Sequence, residues 1–90
     1  MTPAEAHLLV HFAASEMIAR LGDGQRARWI PVPLGGPTGP GGNAKVCAEL
    51  ARRGLLEAHD GPCSIGPSWW AHYRISTGGW AVLRSQAVPR

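Results

Sequence analysis

Between Pro31 and Asn43 the chain reads PVPLGGPTGPGGN, four prolines set among five glycines, and this run limits every arrangement open to the rest. A proline inside a helix removes a backbone donor, clashes with the preceding turn and costs roughly 3 kcal/mol or more. A full helix between Pro31 and Asn43 is therefore excluded, and at most a turn of helix fits just before it, near Arg26–Ile30. Residues 31–43 read as an irregular loop: an extended arm with polyproline character, a backbone able to come close to a partner, or a mobile connection. The glycines do not form a phosphate loop of the nucleotide-hydrolysing kind. Gly42 is followed by Asn43-Ala44-Lys45-Val46, which breaks the required spacing and leaves no hydroxyl to hold magnesium.

Helical signals stand ahead of this loop. Thr2-Pro3-Ala4-Glu5 combines a hydroxyl N-cap, a first-turn proline and a glutamate three residues on, and Gly22-Asp23-Gly24 stops the helix after about Leu21. Glu5, Glu16 and Arg20 form its expected exposed edge, with Glu16 and Arg20 a favourable i,i+4 pair. Leu8, Leu9, Val10, Phe12, Ala13, Met17, Ile18 and Leu21 make the remainder apolar almost all round. One apolar stripe is enough for a surface helix. The excess predicts a homodimer through this helix, with Leu8, Phe12 and Ile18 at the protein interface; a helix wrapped on all sides by its own chain is the other explanation. His7 and His11 have a spacing that can bind a transition metal, but His59, His72 and the two cysteines supply no zinc-type pattern, so no metal or cofactor is expected.

After the loop, Asn43 reads as an N-cap. Val46, Cys47, Leu50 and Ala51 then share one helical face, while Lys45, Glu49 and Arg52 lie on another. Gly54 stands where a helix takes a left-handed C-terminal residue, and Leu55 is the apolar contact that accompanies such a cap. Leu55–His59 reads as a first strand. Asp60-Gly61-Pro62 and Ile65-Gly66-Pro67 mark turns, and a return strand runs from about Trp69 to Ile75. Alternation turns Trp69, Tyr73 and Ile75 inward and Trp70, His72 and Arg74 outward. Trp69 belongs to the core; Trp70 either caps the hairpin edge or contacts a partner. Ser76 or Thr77 caps a last helix anchored by Trp80, Val82 and Leu83 and folded back on the first. Residues 1–85 make one domain, and 86–90 are expected to fray.

The pattern Leu50, Gly54, Leu55, Leu56, then Tyr73, Ile75, Ser76 and Gly79 resembles the second half of a winged helix-turn-helix domain of the bacterial transcription-regulator type. It covers roughly half the chain. The resemblance implies an α+β winged helix, three helices with a two- to three-stranded antiparallel wing, in which helix 43–54 enters the major groove and wing 56–75 meets the backbone. The family's second helix is replaced here by the Pro/Gly-rich loop.

The charge distribution fits an anionic partner. Net charge is +3, with −2 in residues 1–24, +4 in 25–56 and +1 in the remainder, so the positive surplus peaks in and before the second helix. No paired carboxylates, Cys/His pair or Ser/His/Asp order points to catalysis, and an enzyme is not expected. The expected partner is double-stranded DNA, contacted by Asn43, Lys45 and Arg52 from the helix, His72 and Arg74 from the wing, and Arg26 and Arg28 on the backbone. The alternative partner is a protein, bound without DNA by an interaction module such as a phage-encoded inhibitor or adaptor. No apolar run approaches the roughly eighteen residues of a membrane span. Two cysteines without a framework spacing read as thiols of a reducing cytoplasm.

Overall fold

In the computed structural model, residues 1–36, 38–59 and 71–87 are described. They form three helices and a three-stranded antiparallel sheet, an α+β fold with the layout of a winged helix: α1 (Pro3–Asp23), β1 (Ile30–Pro31), α2 (Gly39–Arg52), β2 (Leu56–Ala58), β3 (His72–Ile75) and α3 (Thr77–Ala87). The strand order is β1-β3-β2.

α1 opens with a complete capping box. The Glu5 N–H donates to Thr2 Oγ1, the Thr2 N–H donates to Glu5 Oε1, and Gly24 in a left-handed conformation ends the helix. Its inner face buries Leu8, Leu9, Phe12 and Ala13. Cys47 and Leu50 of α2, Leu56 of β2, and Tyr73 and Ile75 of β3 complete the core, with the Phe12 and Tyr73 rings edge to face. Glu16, expected on the exposed edge, is fully buried, although its pairing with Arg20 is present at 3.4 Å.

α2 begins four residues earlier than the sequence indicates. Thr38 precedes its first residue and Pro40 falls in the first turn, where a missing N–H removes no helical hydrogen bond. The irregular stretch therefore ends at Thr38, and among the described residues no separate helix lies between β1 and α2. The other end is as read: Gly54 has φ +79°, the Leu55 N–H donates to Leu50 O and the Gly54 N–H to Ala51 O, the paired bonds of a Schellman cap.

Pro31 lies in a strand, not in the loop. β1 is an edge strand, where a proline is tolerated, and its register sets Ile30 opposite Tyr73 and Pro31 opposite His72. β3 is thereby central, and β2 pairs its other side with Leu56 opposite Ile75. The expected inward phase of Tyr73 and Ile75 holds. The turn residues from Asp60 to Pro67, together with Trp69 and Trp70, lie outside the described residues.

α3 is fixed by Ser76. Its Oγ accepts from the Gly79 N–H at 3.0 Å and donates to Gly54 O at 2.6 Å, so one hydroxyl caps α3 and holds it to the end of α2. Trp80, Val82 and Leu83 pack against the core as expected, and α3 continues to Ala87.

Candidate nucleic-acid interface

The outer face of α2 follows from its apolar spacing. With Cys47 and Leu50 turned into the core, Gly41, Ala44, Lys45, Ala48, Glu49 and Arg52 are exposed. Burial pushes the Cys47 thiol up to about 12, so it stays a neutral core group. Glu49 is held by both neighbouring arginines: Arg52 Nε and Nη2 donate to it at 2.9 and 2.5 Å, and Arg53 Nε lies 3.8 Å away. The Arg52 bonds hold the Glu49 carboxyl below its ordinary range. Arg53 also pairs with Glu5, tying the end of α2 to the start of α1. Lys45 is left with its charge facing solvent.

Asn43 is a correction. It is neither an N-cap nor a surface contact but a fully buried residue in the first turns of α2. Its Nδ2 donates to Pro33 O at 2.8 Å and to Gly35 O at 2.9 Å, and its Oδ1 accepts from Thr38 Oγ1 at 2.6 Å. A buried amide must find such partners, and these span both ends of the Pro/Gly segment. The loop is therefore folded onto α2 around one side chain, and the amide has no face left for a base or phosphate.

Arg26 and Arg74 are both engaged within the molecule. Arg26 Nε donates to the buried Glu16 at 2.7 Å, and its Nη2 reaches Glu57 at 3.0 Å and Ile75 O at 2.9 Å. The Glu16 bond first, then the Glu57 bond, hold the guanidinium charged above its usual range. Arg74 Nη2 lies 3.6 Å from Glu57 and its guanidinium stacks 4.3 Å over the Trp29 ring, whose edge meets His59. These alternating charges join α1, the segment before β1, β2 and β3. His72, expected to face outward, is buried.

Of the seven residues expected to meet nucleic acid, Lys45, Arg52, Arg28 and Arg26 are exposed, Lys45 and Arg52 together on α2, while Arg26 is engaged by Glu16 and Glu57. Leu8 and Phe12, expected at a protein interface, are core residues; Ile18 is exposed, and Trp70 lies outside the described residues. His7 and His11 share one side of α1, and burial, then the His7 charge, lowers the His11 pKa. Among the described residues no group of three or more His, Cys, Asp or Glu side chains is placed to hold a metal ion.

No family model, curated protein or solved structure matches this chain. Among the described residues no helix is long and apolar enough to cross a membrane. The sequence signal for Asn43 was present in Thr38-Gly39-Pro40, a hydroxyl residue and a proline at helix-start spacing, which places Asn43 inside the helix.

Proposed function

We propose that the protein is a small winged-helix DNA-binding protein, a transcriptional regulator of the cytoplasm, that lays α2 in the major groove and sets the β2–β3 wing against the backbone. The outer face of α2 carries this reading. Gly41, Ala44 and Ala48 keep a strip of it free of bulky side chains, so that strip of the helix can come close to base edges, while Lys45 offers an exposed cation that no carboxylate of the described residues claims. Arg52 sits in an exposed ion pair, which contributes little by itself, so a phosphate can displace Glu49 from it. Arg28 supplies a further exposed cation ahead of β1.

The residues behind the resemblance to bacterial winged helix-turn-helix regulators support the same reading, since each has a structural duty. Leu50, Gly54 and Leu55 build the α2 cap, Tyr73 and Ile75 seat β3, and Ser76 and Gly79 start α3. The missing second helix has a substitute in the loop that Asn43 pins beneath α2, so the presented helix is still braced at its start.

A second reading, a protein-interaction module that binds no DNA, is favoured by the exposed apolar side chains of α1 and by Leu34. Fluorescence anisotropy with a labelled nonspecific duplex at low salt separates the two. The DNA reading expects binding with a Kd of about 10⁻⁴ to 10⁻⁶ M or tighter, weakening steeply as salt rises. A flat titration through that range overturns it in favour of the protein partner.

A further inference from the structure

We infer that the outer face of α1 is the contact surface for a second copy of this chain, packed antiparallel about a two-fold axis. The core takes Leu8, Leu9, Phe12 and Ala13, yet large apolar side chains stand on the opposite side: Val10 is 55% exposed, Met17 51%, Ile18 71% and Leu21 84%. A contiguous apolar row of this kind marks an interaction site, unlike apolar residues scattered singly.

The spacing of the row identifies the occupant. Val10, Ala14, Met17 and Leu21 follow one another at four, three and four residues, the seam of a helix that packs along another helix. In an antiparallel pair the row is complementary to itself: Val10 meets Leu21 of the second copy and Ala14 meets Met17, each large side chain against a smaller one. Two-fold symmetry then makes every contact twice. The four seam side chains carry no charge, so two copies bring no like charges together along it. Arg20 and Arg84 flank the seam at Met17, and Arg20 leans on Glu16. The surface thus differs from the expected one, with Leu8 and Phe12 given to the core and Val10, Met17 and Leu21 taking their place beside Ile18.

Sedimentation equilibrium tests the inference. The chain is expected to be a dimer in the micromolar range, and Leu21→Glu and Ile18→Glu are each expected to weaken it by about tenfold or more with the circular dichroism spectrum unchanged. Both side chains lie mostly in solvent, so neither substitution disturbs the core. Direction is read by cross-linking in a chain carrying Cys63→Ser. The double variant Val10→Cys/Leu21→Cys should form covalent dimers on oxidation, and neither single variant should, because like positions are then about 16 Å apart along the axis. A wild-type monomer throughout the micromolar range, a dimer indifferent to both glutamates, or a single-cysteine variant that cross-links as readily as the double overturns the proposal.

Discussion

A β-carbon on Gly79 would overlap the carbonyl oxygen of Leu55 and lie 2.7 Å from Ile75 Cγ1, so the first turn of α3 rests directly on the backbone that leaves α2. That contact joins the presented helix to the last helix without an intervening side chain. It also gives the Ser-x-x-Gly start of α3 a cause: Ser76 caps the turn and Gly79 makes room for it. Gly79→Ala should destabilise the fold by at least about 2 kcal/mol in urea unfolding, as overpacking against backbone does. Gly22→Ala, in α1 with nothing within 4 Å of the added carbon, should lie within about 1 kcal/mol of wild type.

Asn43 should behave as a structural residue. Asn43→Ala removes three hydrogen bonds at once and leaves polar groups of the loop without their partner, which should cost about 2–4 kcal/mol. Amide hydrogen exchange should then quicken at the start of α2, with little change at the Schellman end. A variant as stable as wild type would show that the loop is held by something else.

The sequence reading succeeded where a local rule decides the outcome. The Thr2/Glu5 capping box, the Gly54 cap, the Tyr73/Ile75 alternation and the Ser76 start each depend on a few neighbouring residues. It failed where the deciding partner is distant. Nothing near Arg26 announces Glu16 or Glu57, ten and thirty-one residues away, and a basic residue without visible partners reads as free. His72 reads as outward by alternation with Tyr73, and nothing in the neighbouring residues announces that its face of β3 is covered as well. Leu8 and Phe12 could be told from Val10 and Leu21 only by knowing which side of α1 the sheet covers.

The Glu16–Arg26 pair should be worth more than a surface salt bridge. Arg26→Ala leaves the buried Glu16 carboxylate with Arg20 alone at 3.4 Å and frees Ile75 O. Removing one partner of a fully buried pair costs about 3–5 kcal/mol, and because Arg26 is 40% exposed the expected loss is smaller, about 2–3 kcal/mol. A loss below about 1 kcal/mol in urea unfolding would place the pair among ordinary surface bridges.

Acid should weaken the fold through His11. Its folded pKa lies below the ordinary 6.5, so as pH falls through 6.5 the unfolded chain takes up a proton that the folded chain resists. The contribution is absent at higher pH, where the imidazole is neutral in both states, and grows unfavourable towards the folded pKa. The thermal midpoint should therefore drop between about pH 7 and pH 5. His11→Gln should flatten that part of the profile, and an unchanged slope would assign the acid sensitivity to other groups.

Lys45 carries the central claim, and the salt dependence of duplex binding tests it most directly. With wild type and Lys45→Ala titrated against the same duplex over a series of salt concentrations, the variant should bind more weakly. Its plot of log K against log salt should be shallower by about 0.9, the signature of one lost phosphate neutralisation. Superimposable lines for the two proteins at every salt concentration would contradict the placement of α2 on DNA.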